Sequence, residues 1–378
     1  MQIFTRSIAV PAGVPLGGYA LPDNRATRGG HLEVNGLGMR DAATGKPYQL
    51  WAVDALYPGD LARFPDLTAG TPLFAASHTH SAPMLDSSKP RLGALCSASL
   101  AAFREAMAHT PGSKVGYDRV QLFRGEVSVP VYRRFDQPAT ILNTFLTRYA
   151  GLFPNEAVPI ERSLFMWIFS QGAVPVFSLV YHACHPVTRA EPAAISADFV
   201  EPIRQAVRAR FGTEVCLFLQ GCSGDIRPNF SRKRLSVLPR SRLNWRFKPQ
   251  PTLADETFAD VAYTQTVATA RLIAEAPAGE TEVRLHHRSL RLRGGGTAEA
   301  IDLDLSRISR FCFLPFEVSH FYNRSDEPPE NRQFLVSCAS HTLGYLPHPT
   351  QIPHGGYEVD SSCAYMSLES RLELEDEL

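Results

Sequence analysis

Ser77-His78-Thr79-His80-Ser81-Ala82-Pro83 is the stretch on which the reading of this 378-residue chain turns. The apolar run before it, Leu73-Phe74-Ala75-Ala76, has the length and composition of a short buried strand. That run breaks off at two histidines one residue apart, followed by a proline. Neutral imidazole binds divalent metals and carries protons near neutral pH. In an extended segment His78 and His80 point to the same side, because side chains alternate with period 2. The pair therefore fits one site, with one ring on a metal and the other handling protons. Two capped loop histidines would read the same locally, so the rest of the chain has to decide.

Four more apolar runs end in a polar, titratable or glycine-rich loop. They stop at His182-Ala183-Cys184-His185, at Gly221-Cys222-Ser223-Gly224-Asp225, at Glu317 and at Tyr345. Strands separated by helical segments predict an α/β fold: a mixed β-sheet core flanked by helices. In open sheets of that kind, ligands bind beyond the carboxyl ends of the strands. Strands lying side by side would bring His78, His185 and Glu317 to one rim, with the metal site at the strand ends. Two histidines and one carboxylate are a common catalytic zinc set, with a position left open for water. Each residue also has a plainer role available. His182 reads as a hydrogen-bonded structural histidine, Tyr345 as a half-buried aromatic, and Glu317 as a helix cap or ion-pair partner. Asp225 is either a carboxylate that orients a metal-binding histidine or a turn aspartate.

The elements follow from pattern. Leu50–Leu56 and Leu73–Ala76 read as strands, 91–109 as a helix and Val115–Val131 as extended. Ser163–Phe169 and Ala173–Tyr181 flank a Gln171-Gly172 turn, a hairpin signature. Ser196 reads as an N-cap, with Asp198 in the first turn of a helix ending near Phe211. Glu214–Leu219 is a buried strand, Leu253–Ala276 an amphipathic helix, and Thr281–Arg293 and Phe334–Cys338 are strands. Residues 231–252 form a basic loop insertion without an acidic side chain, readable as a lid, a solvated insertion or a subunit contact. The terminal stretch from Glu369 reads as a helix or a frayed tail.

Lys plus Arg and Asp plus Glu both number 38, so nothing draws the molecule as a whole to nucleic acid or an anionic membrane. No run reaches the roughly 18 apolar residues of a spanning helix. Seven scattered cysteines favour free thiols in a reducing compartment. The N-terminus lacks the apolar core of a signal peptide. Together these point to a cytoplasmic protein, with oligomeric state open.

At these residues the chain resembles the neutral/alkaline, non-lysosomal ceramidase family. His78-Thr79-His80-Ser81-Ala82-Pro83 resembles the family's HTHSGP. His185-Pro186-Val187-Thr188 with Ile195-Ser196-Ala197-Asp198 resembles its second histidine and downstream SSD-type segment. Gly224-Asp225-Ile226-Arg227-Pro228-Asn229 resembles GDVSPN, and Leu314-Pro315-Phe316-Glu317 resembles LPGE. Tyr345 sits where the family has the second tyrosine of a YxxY segment, and Tyr132-Arg133-Arg134 resembles its substrate-contacting asparagine-arginine pair. The resemblance implies one ceramidase-like catalytic domain over 1–378, with zinc held by His78, His185, Glu317 and Tyr345. It makes His80 a proton-handling or oxyanion-side group, and Arg133 a contact for the scissile carbonyl. The implied reaction is hydrolysis of the amide of a small N-acylated substrate.

Three departures qualify this. The family's GDVSPN serine, its assigned nucleophile, is Arg227 here, so a serine mechanism at that position is excluded. The chain has no room for the family's C-terminal β-sandwich domain. The missing secretion signal argues against a lipid of an outer leaflet as substrate. Metal-activated water needs no serine, and the fixed charge of Arg227 favours a substrate with a carboxylate or phosphate. Two other readings stand: an acyl hydrolase using Cys222 or Ser223 as nucleophile, with the Gly-rich loop as oxyanion hole, and a non-catalytic ligand-binding relative.

Overall fold

The computed structural model describes residues 1–18, 24–41, 44–63, 71–136, 150–189, 194–229, 236–241, 244–248, 253–277, 285–293, 300–323, 325–329 and 331–362. Two five-stranded sheets carry the chain. The first contains β1 (Gln2–Val10), β2 (Gly30–Arg40), β3 (Pro47–Val53), β4 (Thr71–Ala76) and β5 (Ser113–Lys114), in the order β4-β3-β2-β1-β5. The second contains β6 (Arg119–Glu126), β9 (Ser163–Gln171), β10 (Val174–His182), β11 (Val215–Gln220) and β15 (Arg271–Pro277), in the order β11-β10-β9-β6-β15. Both are mixed. β3 and β4 run parallel, as do β10 and β11, and the other pairs are antiparallel.

Period-2 alternation explains how the sheets stack. Leu37, Met39, Leu50, Ala52, Leu73 and Ala75 pack in one buried cluster with Phe165, Phe177, Leu179, Val215, Leu217 and Leu219 of the other sheet. The opposite faces carry the alternate residues. Trp51, Val53 and Phe74 meet Phe103 and Met107 of α1 (Ser97–His109). Val180, Cys216 and Phe218 lie in the cluster of Ile203 and Val207 from α2 (Val200–Phe211) and Tyr263 and Val267 from α3 (Leu253–Thr269). The layers run helix, sheet, sheet, helix. Strands covered on both faces read as continuous apolar runs, which is why Leu73–Ala76 and Val215–Leu219 carry no polar residue. Each fully buried large apolar side chain contributes about 1.5–3 kcal/mol.

Smaller sheets cap this frame. β12 (Ile226–Pro228), β7 (Pro130–Asp136) and β8 (Ala150–Asn155) form one. β16 (Leu285–Arg293), β17 (Ala300–Ile308), β18 (Phe311–Phe313) and β20 (Phe334–Val336) form another. β19 (Phe316–Val318) and β21 (Gly344–Leu346) pair in parallel. The segment after β20 is a seam between the two large sheets. Ser337 N donates to Gln220 O at the end of β11, while Ala76 N donates to Cys338 O and Ser340 N to Phe74 O.

Several expectations need correction. The helix expected to run to Ala276 stops at Thr269, and Arg271–Pro277 instead adds to the edge of β6. The exposed ladder of β6 offers that segment main-chain bonds that outweigh its helix propensity. Ser196 does not cap α2, which starts at Val200. Its Oγ accepts from Asp198 N, and Asp198, with φ 60°, accepts from Phe199 N, Thr188 N and Arg189 N. Within the basic insertion, β13 (Ser236–Ser241) and β14 (Asn244–Lys248) form an antiparallel hairpin rather than a loop. Arg232, Lys233, Arg234 and Arg242, and the stretch from Glu369, lie outside the described residues.

An ion network fastens α2 to the first sheet. Glu33 accepts from Arg208 Nη1 and Nη2 at 2.8 and 2.7 Å, and Arg204 reaches Asp54 at 3.0 Å. Burial acts to raise the Glu33 pKa, but Arg208 and Arg204 pull it down to about 2. A depressed carboxylate adds stability above its unfolded pKa of about 4.5 and loses it as pH falls toward 2. Glu33→Gln is therefore expected to cost about 1–2 kcal/mol at pH 7 and to flatten the loss of stability between pH 5 and 2. Urea unfolding across that pH range measures both; a mutant curve parallel to wild type would remove the network from the stability argument.

Candidate metal centre

Every expected metal-site residue sits at or just beyond a strand. His78 lies two residues past β4, His185 three past β10, Glu317 inside β19, and Tyr345 opposite it on β21. His78 and His80 do not converge by strand alternation. The strand has ended at Ala76, and His78 takes a left-handed backbone conformation, φ 66°. That kink costs a β-carbon residue about 1–2 kcal/mol and turns the chain sharply. Around it, Thr79 Oγ1 donates to Ser196 O and His80 N to Pro186 O, tying this loop to the one carrying His185. At Gly18, φ +94°, an added Cβ would stand 2.4 Å from His80 Nδ1, so the backbone itself forms the floor beneath that ring.

The candidate ligand nitrogens of His78, His80 and His185 all lie within 4.8 Å of one another. His78 Nδ1 lies 2.9 Å from Leu56 O, and His185 Nδ1 lies 2.6 Å from Ser223 O and 2.9 Å from Ile226 O. A carbonyl can only accept, so each Nδ1 carries a hydrogen, which leaves Nε2 as the nitrogen that would take a metal once the ring is neutral. Both Nε2 atoms face Glu317 Oε2, at 3.3 Å from His78 and 3.1 Å from His185. His78 Nε2 is buried and makes no hydrogen bond. Two Nε2 atoms aimed at one buried carboxylate, with the far side of each ring held by backbone, are a donor set that fits a divalent cation.

The electrostatics follow from burial. Glu317 is 2% exposed. Burial alone would raise its pKa, but His78 and His185 hold it well below the usual carboxylate range. Burial, then Arg133, pulls His185 down to about 4. His80 is also lowered, by burial and by the neighbouring His78 and His185. Burial opposes the charged His78 ring, yet Cys338 and Glu317 outweigh it and raise that group. Burial and the Glu317 charge raise Tyr345, keeping its phenol protonated.

Arg133 Nη2 donates to the Tyr345 hydroxyl at 3.2 Å, and Arg133 Nε donates to Glu358 Oε1 at 2.8 Å. Asp225 meets a histidine outside the cluster: His320 Nδ1 is 3.1 Å from its Oδ2, and His320 N, Ser319 Oγ and Gln351 Nε2 donate to it. His182 bonds Ser163 O and the Tyr263 hydroxyl, remote from the cluster in its bonding. Cys222 is buried and its thiol is pushed up to about 12, chiefly by burial. Arg227 lies on β12 beside Arg133, and burial with that like charge lowers it to about 10.

Sequence reading missed Tyr57, Cys338, Glu358 and His320. Tyr57 donates a short hydrogen bond from its hydroxyl to Glu317 Oε1. Asp54 interrupts the strand-like stretch Leu50–Leu56 before Tyr57, so no clean apolar run points to it. Glu358 comes from α4 (Tyr357–Ser362), where nothing local marks it.

A scan against family models finds no match to this sequence, and a search of curated proteins finds none. Solved structures do match. The chain is similar to neutral ceramidase from Pseudomonas aeruginosa, with a TM-score of 0.66 and 13% identity over 99% of this chain and 72% of that one. It is similar to a ceramidase complexed with C2, with a TM-score of 0.66 and 12% identity over 99% and 73%. At this identity the likeness is one of fold: the chain has a ceramidase-like fold. Among the described residues no helix is long and apolar enough to cross a membrane.

Tyr57→Phe removes the hydroxyl on Glu317 while keeping the ring. It is expected to weaken divalent-metal affinity about 10–100-fold in a chelator-competition titration. His185→Ala is expected to abolish stoichiometric uptake by elemental analysis. Wild-type protein that takes up no zinc, cobalt or manganese would show that the histidine cluster is not a metal centre.

Proposed function

We propose that this protein is a zinc-dependent hydrolase of the amide bond of an N-acylated substrate. The observation that carries the reading is the donor set: three clustered imidazoles, two of them buried against the Glu317 carboxylate with Nδ1 fixed by backbone carbonyls. The ceramidase-like fold supports the reaction class. His78, His185 and Glu317 would hold the ion, with Tyr345 as fourth ligand. A zinc ion there supplies Lewis acidity and lowers the pKa of water from about 15.7 to about 7.

The chain's own groups supply the rest. Arg133 is a fixed positive charge, kept protonated by Tyr345 and Glu358 against the opposing effect of burial. It would bind the scissile carbonyl and stabilise negative charge as it develops on the oxygen. His80, neutral because burial and its neighbours lower it, can accept the proton lost by water and return it to the leaving nitrogen. Water then adds across the C–N bond, giving a carboxylate and an amine. Asp225, bonded to Ser319 Oγ and His320 N, fixes the segment following Glu317 and acts as a positioning residue.

The acyl-enzyme alternative has less support. The Cys222 thiol is buried and held protonated, and Ser223 Oγ is buried without a hydrogen-bond partner to act as base. Cys222→Ala and Ser223→Ala are expected to keep turnover of an N-acyl amide library within about threefold of wild type, while His80→Ala lowers kcat about 10²–10⁴-fold. Chelation should abolish turnover and zinc should restore it. Turnover that survives chelation but not Cys222→Ala would reverse the assignment.

A further inference from the structure

Arg227 is the strongest unexplained feature outside the proposed zinc ligands. Its Nε and Nη2 are buried without a hydrogen-bond partner, while the residue as a whole keeps partial exposure. Among the described residues no carboxylate pairs with it, and the charge that acts on it is the like charge of Arg133. Arg133 is itself compensated by Glu358. A guanidinium shielded from water and left unpaired is unfavourable, and the cost is relieved only by an anion.

The register fixes where that anion would lie. Arg227 pairs with Val131 across β12 and β7, so Arg133, two residues on, is its diagonal neighbour on the same face, at about 7–8 Å between backbones. The carbonyl just before Arg227, that of Ile226, accepts from His185 Nδ1. The Arg227 backbone is thus one residue from a carbonyl that holds His185, and its side chain shares a sheet face with Arg133, the arginine assigned to the scissile carbonyl. A guanidinium fork matches a carboxylate with two parallel hydrogen bonds, and a single unpaired positive charge matches a carboxylate better than a phosphate dianion.

We infer that Arg227 receives a carboxylate carried next to the scissile amide, so that the substrates are N-acyl amino acids rather than neutral N-acyl amines. This rests on the hydrolase reading for its amide and on the unpaired guanidinium for its anion. The zinc-loaded full-length protein should be assayed with N-acyl-alanine and N-acyl-alaninamide of the same chain length. The acid is expected to be favoured in kcat/KM by about 10–100-fold. Arg227→Gln should bring the ratio near one. Arg227→Lys, which keeps the charge and loses the fork, should keep part of it. In parallel, calorimetry with the non-hydrolysable sulfonamide analogues of both compounds reads anion binding without turnover. Equal treatment of acid and amide by wild type, or a preference unchanged in both variants, would overturn the inference and leave the hydrolase reading in place. Arg227-dependent binding of the acid analogue with no turnover of any N-acyl compound would overturn the hydrolase reading and leave the anion site standing.

Discussion

A carboxylate sealed from water has to be answered by its surroundings, and in this protein that carboxylate is Glu317. Its Oε2 is approached by two imidazoles and its Oε1 by the Tyr57 hydroxyl. Those groups come from the ends of β3, β4 and β10, so both large sheets must be correctly placed before the charge is compensated. Nearby glycines permit the convergence. Gly224 donates its N–H to Val318 O, and a Cβ there would stand 2.6 Å from Glu317 O. The loop after β11 can therefore press directly on the strand that carries the carboxylate.

Around this centre lies a second ring of compensated charges. Glu358 takes up both Arg133 and Arg134, at 2.8 and 2.5 Å, from the short helix α4. Asp225 gathers Ser319, His320 and Gln351. Each is a buried ion satisfied by several donors, the condition under which buried charge is tolerable. Their effect is positional. They fix the strands that present Arg133 and Glu317, and Arg227 stands out beside them because no carboxylate among the described residues does the same for it.

The sequence disclosed the strand ends well, because double-sided burial leaves apolar runs that stop abruptly at functional groups. The hairpin at 163–182, the mixed pairing and the run ending in His78-Thr79-His80 were all legible that way. What it hid were long-range partners and sheet-edge competition. Arg271–Pro277 looked helical because no local pattern shows that β6 has an open edge. Tyr57, 260 residues from Glu317, and Glu358, 225 from Arg133, make bonds that no periodicity can indicate. The His78 kink was invisible too, since the strand rule that placed both rings on one side does not apply where the strand has ended.

The seam at Ser337–Ser340 bears on how the chain reaches this state. It joins residues near position 75 to others near 220 and 338, so the centre exists only after the most distant parts of the polypeptide have met. Topologies dominated by such remote meetings fold slowly, because chain entropy is lost before the contacts that compensate it are made. The imidazole cluster therefore depends on the least local contacts of the fold. A cation that binds there would act as a late lock on the finished molecule, lengthening its lifetime without hastening its assembly.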